Sequence, residues 1–175
     1  FFFLMQTNAT PKTSWIPPSS FEEILKFHLV PRRLFIWRLA SREWRKGEKE
    51  VRLLPFLVDR NRNSVDAGAC WGAYTYFLSR LCPHVHAFEP NPKIYPVLKS
   101  TVRHNVTAHP FALSNTSGEA MLRVPKGRKR YSNVGASLSA IKVDGEYGEV
   151  SVTTKRLDDM NLTNIGFIKI DVEGF

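Results

Sequence analysis

The sequence predicts an α/β fold, a doubly wound parallel sheet with an N-terminal helical segment. Short apolar strands alternate with amphipathic helices from residue 63 onward, which requires a parallel sheet with right-handed crossovers. A proline, Pro110, lies within the third predicted strand. Because proline cannot donate to a strand ladder, that strand belongs at a sheet edge, where the order 3-2-1-4 places it. The sequence therefore predicts a partial sheet of four core strands in this order.

Residues 20–60 are predicted to form the helical segment, after a flexible tail at residues 1–19 that is rich in proline. Ser20 and Glu23 have capping-box spacing and begin the first helix, which Pro31 ends. The stretch "RRLFIWRLASREWRK" predicts a second, amphipathic helix, and "EKEVRLLPFLV" predicts a shorter third one.

The sheet domain is predicted to cover residues 61–175. The stretches "SVDAG", "VHAFEP" and "VTAHPFALS" predict its first three strands, and "AYTYFLSRLC" predicts the first crossover helix. Asn91 and Pro92 are predicted to cap and begin the second crossover helix, "KIYPVLKSTVRHN". Alternating pieces, "EAMLRV", "VGASLS" and "EVSVTT", predict an antiparallel excursion, and "LDDMN" predicts a turn or short helix. The apolar run "GFIKIDVEG" then predicts a fourth, central strand.

Charge and cysteine usage narrow the function classes. The net charge is +9, and the excess lies in the stretches 32–62 and 126–130. This predicts weak contact with anionic surfaces, or simply solvated faces. Because aromatic and basic residues are not interleaved as in RNA-binding modules, no nucleic acid is expected.

The two cysteines, Cys70 and Cys82, have no metal-ligand or disulfide spacing, so we expect no metal and a cytoplasmic setting. No stretch is long and apolar enough for a transmembrane segment.

A glycine loop, "DAGACWG", follows the first strand and contains Asp66, Gly68 and Gly72. In a doubly wound sheet, the ligand lies at the carboxyl ends of the strands, beside the first one. Gly68 is expected to make the tight turn, and Gly72 to let the backbone approach the ligand. The pattern D-x-G-x-x-x-G lacks the middle glycine of the dinucleotide fingerprint. It therefore favours a cofactor with an amino-acid tail, S-adenosylmethionine, over one with a pyrophosphate.

A second carboxylate, Glu89, ends the second strand about 20 residues after Gly68. This is the place for an acidic side chain that holds the two hydroxyls of a ribose. The alternative at this stage is a glycine-rich turn in another kind of α/β protein.

Seven stretches in order carry a family resemblance: "EVRLLPFLV", "VDAGACWGAYT", "VHAFEPNP", "FALSN", "GASLS", "KRLDD" and "IKIDVEG". Over about residues 48–174 the chain resembles FkbM-type methyltransferases. The resemblance implies a Rossmann-like class I methyltransferase fold. It also implies O-methylation of a sugar or secondary metabolite, and hence a small-molecule or glycan acceptor. The chain departs from the family pattern by having Cys70 where asparagine is usual. It also ends at Phe175, after four of seven core strands, so we expect a C-terminally truncated domain.

The resemblance implies a set of cofactor-binding residues: Asp66, Gly68, Ala69, Gly72, Thr75, Glu89, Pro90, Phe111 and Ala112. Thr75 would either offer its hydroxyl to the carboxylate of the cofactor or be an ordinary helix residue. Asp171 and Glu173 would act as the base that takes the proton of the acceptor hydroxyl. Alternatively, these two carboxylates hold a metal, position the cofactor, or pair with Lys169.

Other interpretations stay open. The same fold would serve N-methylation, and the chain would also suit a non-catalytic fragment that at most binds the cofactor. A basic nucleic-acid-binding module is a more distant alternative. The histidines are expected at the surface or in packing. Trp71 lies between the loop glycines, where its ring would reach a sulfonium by cation–π contact.

Overall fold

The computed structural model describes residues 15–127, 131, 135–138 and 145–172. Its main sheet has four parallel strands in the order β3-β2-β1-β7, which confirms the predicted order 3-2-1-4. The strands are β1 (Asn63–Ala67), β2 (Val85–Phe88), β3 (Val106–His109) and β7 (Ile165–Ile170). Asp66 in β1 lies between Ala87 of β2 and Lys169 of β7 in the pairing register.

Two crossover helices, α4 (Ala73–Leu81) and α5 (Tyr95–Thr101), connect β1 to β2 and β2 to β3. A turn at residues 92–94 leads into α5, in which the Asn91 side chain accepts the N–H of Lys93 at 3.0 Å and the Asn91 carbonyl accepts the N–H of Tyr95 at 2.9 Å. Asn91 therefore makes the hydrogen bonds predicted for a cap, although the regular helix begins at Tyr95, three residues after the predicted first residue, Pro92. Pro96 instead occupies the first turn, where a missing N–H costs nothing.

The helical segment forms an outer layer on these two helices. It contains α1 (Phe21–Leu29), α2 (Arg32–Lys46), a 3₁₀ turn (Lys49–Leu53) and α3 (Leu54–Leu57). The capping box is confirmed, since the Ser20 N–H donates to the Glu23 carboxylate at 2.8 Å and the Glu23 N–H donates to the Ser20 hydroxyl at 3.3 Å. Helix α2 buries Phe35, Ile36 and Ala40 and contacts both α4 and α5. The predicted third helix is mostly a 3₁₀ turn.

Residues 15–19 are the part of the predicted tail that the structure describes, and two of them, Trp15 and Pro17, lie against the domain. The Trp15 ring lies edge-on to Tyr131, with 4.9 Å between ring centroids, and it also covers Gly148. Pro17 is buried. The rest of the predicted tail, residues 1–14, lies outside the described residues.

A second sheet follows the first, in the order β4-β6-β5. Its strands are β4 (Ala112–Leu113), β5 (Gly118–Pro125) and β6 (Tyr147–Lys155). Strands β5 and β6 are antiparallel, as predicted for the excursion, and bury Leu122, Val124, Val150 and Val152. The prediction of one continuous third strand is wrong, because Pro110 interrupts it and separates β3 from β4.

The fourth core strand, β7, pairs with β1 along one side. Across the part of the chain that the structure describes, its other side has no neighbouring strand. Ile168 and Ile170 are consequently 43% and 70% exposed. The burial expected of a central strand is therefore absent here.

Among the described helices, none is long and apolar enough to cross a membrane.

Candidate active site

The glycine loop that joins β1 to α4 has an unusual backbone. Gly68 and Gly72 have φ angles of +77° and +88°, and Cys70 between them has +48°. The N–H groups of Gly68 and Ala69 donate to the carbonyl of Phe88 at 3.0 and 2.9 Å, which ties the loop to the end of β2. The left-handed φ angles explain why glycines are needed at both ends of the loop.

Close approach adds a second reason for each glycine. A Cβ on Gly68 would lie 2.0 Å from the carbonyl oxygen of Asp171, so the end of β7 occupies the space of any side chain. A Cβ on Gly72 would lie 2.8 Å from Leu98 and 3.6 Å from Ile36, which belong to α5 and α2. Gly72 therefore permits close packing of the helices, whereas the sequence suggested an approach to the ligand.

Glu89 is the buried carboxylate of the site, with 6% of its surface exposed. Its two oxygens accept backbone N–H groups from Cys70 and from Asn91, each at 2.8 Å. Burial raises the pKa of Glu89 to about 7, although these two hydrogen bonds oppose the shift. Because each carboxylate oxygen has a second lone pair, Glu89 retains the capacity to accept two hydroxyl groups.

Asp66 is the centre of a buried network behind the loop and has no exposed surface. One oxygen accepts the Thr75 hydroxyl at 2.6 Å, and the other lies 3.4 Å from the ammonium of Lys169, close enough to pair without an aligned hydrogen bond. Lys169 also donates to the Gly68 carbonyl at 3.1 Å and lies 3.5 Å from Asp171. The network connects β1, β7 and α4 to one another. The Thr75 hydroxyl donates to Asp66 within this network, and not toward the cleft.

A cleft opens at the carboxyl ends of the strands, between the glycine loop and the second sheet. The residues that line it are Gly68, Cys70, Phe88, Glu89, Pro90, Ala112, Leu113, Leu122, Gly135, Ala136, Leu138, Asp171 and Val172. The structure thus brings five of the sequence-predicted site residues to one cleft, namely Gly68, Glu89, Pro90, Ala112 and Asp171. Glu173, the second predicted catalytic carboxylate, lies outside the described residues.

Five other predicted site residues lie behind the cleft wall. They are Asp66, Ala69, Gly72, Thr75 and Phe111, and all five are buried. The Phe111 ring packs on Phe88, with 5.5 Å between centroids, and the ammonium of Lys155 lies 4.7 Å from its centroid. These residues shape the wall from behind, and none is among those that line the cleft.

Sequence reasoning missed the opposite wall of the cleft. Leu122 of β5 and the segment 135–138 form it. Backbone hydrogen bonds hold this segment on β5, because Ser137 and Arg123 exchange N–H groups and carbonyls at 2.9 and 3.0 Å. The one available signal was the stretch "GASLS", which carried family resemblance but no assigned role.

Trp71 faces the helical layer. Its ring centroid lies 5.6 Å from that of Phe27 and 6.4 Å from that of Phe35. Trp71 is also not among the residues that line the cleft. The structure therefore gives it a packing partner in α1, and the suggested contact with a sulfonium finds no support here.

The comparisons with known proteins decide the family. The family model described as "Methyltransferase FkbM domain" matches residues 66–175, from the glycine loop to the last residue of the sequence. The chain belongs to the FkbM methyltransferase family. Membership in this family supports methyl transfer in general terms and does not by itself identify the acceptor. No curated protein matches the chain.

Two solved structures are similar to this FkbM domain. One is a putative S-adenosylmethionine-dependent methyltransferase from Listeria monocytogenes, with 13% identity, a TM-score of 0.34 and coverage of 70% of this chain and 78% of that chain. The other is a precorrin 8w decarboxylase from Methanobacterium thermoautotrophicum, with 22% identity, a TM-score of 0.33 and coverage of 37% of this chain. The match spans 38% of that second protein.

Proposed function

We propose that the cleft binds S-adenosylmethionine and that the protein transfers its methyl group to a hydroxyl of a sugar or other small metabolite. The observation that carries this proposal is the position of Glu89. Its buried carboxylate lies in the cleft wall, joined to the glycine loop through the Cys70 N–H at 2.8 Å. A carboxylate at the end of the second strand is where a doubly wound fold holds a ribose.

The residues of the cleft fit this cofactor. The free lone pairs of Glu89 suit two ribose hydroxyls, while Pro90, Ala112 and Leu138 offer apolar surface to a flat adenine ring. Gly68 at the mouth of the loop presents backbone without a side chain, beside Asp171. Polar groups in a mostly apolar concave site are the usual composition of a small-molecule pocket.

Asp171 is the proposed base of the reaction. When bound, the cofactor supplies a methyl group on a sulfonium that leaves as a neutral thioether. Asp171 lines the cleft with a half-exposed carboxylate, so it can accept the proton of an acceptor hydroxyl. Lys169, 3.5 Å away, holds this carboxylate at the end of β7. The remaining walls position the acceptor in line with the methyl group.

Calorimetric titration with S-adenosylhomocysteine tests the cofactor assignment. The parent should bind, and Glu89→Ala should bind about tenfold to a hundredfold more weakly, because the ribose hydroxyls lose their charged acceptor. Glu119→Ala is the matched control, since Glu119 is exposed on β5. Equal affinity of the Glu89→Ala variant and the parent would refute the assignment.

Transfer of a labelled methyl group tests the reaction. Hydroxyl acceptors should be methylated in preference to their amine analogues, and Asp171→Asn should lower the transfer rate about a hundredfold or more while cofactor affinity is kept. Preference for amines would favour N-methylation. Cofactor binding without transfer to either class would favour a domain that binds and does not catalyse.

A further inference from the structure

The exposed apolar side chains of this protein are concentrated in its helical segment. Phe56 is 86% exposed, Phe21 76% and Leu29 69%. Among the described residues, most exposed large apolar side chains lie between positions 21 and 57. Soluble proteins usually scatter such residues singly, and a concentration of them marks an interaction face.

Helix α1 has two distinct faces. On the inward face, Phe27 packs against Trp71 at 5.6 Å between centroids, and Glu23 pairs with Lys93 at 3.0 Å. On the outward face lie four exposed apolar residues at a spacing of three or four: Phe21, Ile24, Leu25 and Leu29. At about 100° per residue, these four form one continuous arc that points away from Phe27.

Helix α2 repeats this arrangement and adds charge. Its inward residues, Phe35, Ile36 and Ala40, are buried on α4 and α5. On the outward face, Leu34 and Trp37 are 42% and 53% exposed, whereas Trp44 is 40% exposed and its ring centroid lies 5.6 Å from that of Phe77 in α4. Three arginines are interspersed on that face: Arg33, Arg38 and Arg45. Helices that lie in a membrane interface combine tryptophan and other apolar residues with arginine and lysine, usually on opposite faces.

A groove of about 850 Å³ lies between α2 and the ends of α4 and α5. Its cationic or titratable basic side chains are Arg32, Arg33, Arg80, Arg103 and His104, and no carboxylate is among the described residues that line it. Leu34 and Trp37 of the outward face line the same groove. One concave surface therefore combines apolar contact area with concentrated positive charge.

The structure holds part of this charge in place. The Arg80 guanidinium lies 3.3 Å from the ring centroid of Tyr76 and donates to the Tyr76 carbonyl at 2.6 Å. The Arg32 guanidinium donates to the Ser100 hydroxyl. Burial lowers the pKa of Arg80, and the nearby Arg103 cation adds to this effect. An anion in the groove would relieve the repulsion between these cations.

We propose that the outward faces of α1 and α2 bind an anionic phospholipid surface, with the arginine groove receiving headgroup phosphates. A nucleic acid would use the arginines but would leave Phe21, Leu29 and Trp37 in water. A lipid interface buries these side chains and neutralises the arginines together. The inference does not depend on the proposed function of the cleft, which lies at the carboxyl ends of the strands.

Vesicle flotation tests the inference. The parent should float with vesicles of phosphatidylcholine and phosphatidylglycerol but not with phosphatidylcholine alone, and added salt should weaken the association. Arg33→Ala and Arg103→Ala should each lower the partition coefficient about fivefold, the value of one basic residue near an anionic surface. Trp37→Ala should lower it about tenfold through lost apolar contact.

Two variants serve as matched controls. Arg156→Ala removes an exposed cation after β6, and Met121→Ala removes an exposed apolar side chain on β5. Both should float like the parent, and circular dichroism should show that every variant is folded. Equal losses in these controls, or no flotation of the parent, would overturn the proposal. Two further results would also overturn it: a dimer that Trp37→Ala dissociates without any vesicle binding, and displacement from vesicles by an RNA duplex at equal affinity.

Discussion

Glu89 must meet two opposing demands. It is nearly fully buried, which favours the neutral acid, yet it clamps two backbone N–H groups and is proposed to accept ribose hydroxyls, which favours the carboxylate. The result is a pKa of about 7, so that the free protein at neutral pH contains both forms. Cofactor affinity should therefore be sensitive to pH in the neutral range.

We predict that affinity for S-adenosylhomocysteine rises about tenfold from about pH 6 to about pH 8, because the ionised fraction of Glu89 rises by that factor around a pKa of about 7. Calorimetric titration across this range measures the effect. Glu89→Gln should bind more weakly and show no such rise. A parent profile as flat as that of the Gln variant would show that Glu89 does not titrate in the site.

Thermal stability would be a poorer readout of the same group. The raised pKa of Glu89 adds stability that is complete below about pH 4.5 and is lost as pH rises through about 7. His109 acts in the opposite direction, because burial lowers its pKa to about 4, so its contribution is lost as pH falls from about 6.5 to about 4. The pH ranges in which Glu89 and His109 change the stability overlap, so the unfolding midpoint reports their sum. Cofactor affinity reports the titration of Glu89 alone.

At the scale of elements, the glycine loop shows what sequence could and could not predict. Its place between β1 and α4 and the position of Glu89 follow from spacing alone. The contacts of Gly72 with Ile36 and Leu98, and of Trp71 with Phe27, do not. They depend on helices that are distant in sequence and pack over the loop, so local spacing carries no signal of them.

We predict that Gly68→Ala lowers the free energy of unfolding by about 1–3 kcal/mol more than Gly145→Ala does. Both glycines have a positive φ, +77° and +87°, so the cost of the backbone conformation is shared. Only Gly68 faces a close neighbour, the Asp171 carbonyl, whereas a Cβ on Gly145 meets nothing within 4 Å. Urea denaturation measures the difference. Equal losses in the two variants would mean that the end of β7 moves aside easily.

At the scale of the whole molecule, Pro110 indicated the order of the main sheet. For the second sheet, the sequence predicted antiparallel strands but not their position over the cleft. The cleft has two walls, and the strand ends that form the first are implied by any doubly wound order. The second wall needs β5 to be placed over the strand ends and the segment 135–138 to pair with it. Long-range pairing of this kind is set by packing of the full chain, which a linear pattern does not encode.

The exposed flank of β7 is the feature of the whole fold with the clearest consequence. Ile168 and Ile170 project from the same face of the strand and are 43% and 70% exposed, while Lys169 between them is turned inward to Gly68 and Asp66. The strand therefore presents apolar side chains, and its own lysine does not protect them. In addition, the outer edge of β7 has no neighbouring strand among the described residues, and unpaired strand edges act as templates for association that natural proteins block with charges.

We predict that the 175-residue chain self-associates through β7. Size-exclusion chromatography with light scattering should show an oligomer whose share grows with concentration, and Ile170→Lys should restore the monomer because it adds the missing outward charge. Met121→Lys, on the edge strand β5 of the second sheet, is the matched control and should leave the oligomer unchanged. Trp37→Ala should also leave it unchanged, which separates this edge from the outward face of the helical segment. A parent that stays monomeric at every concentration would contradict the prediction, because it would show that the free edge of β7 does not cause association in solution.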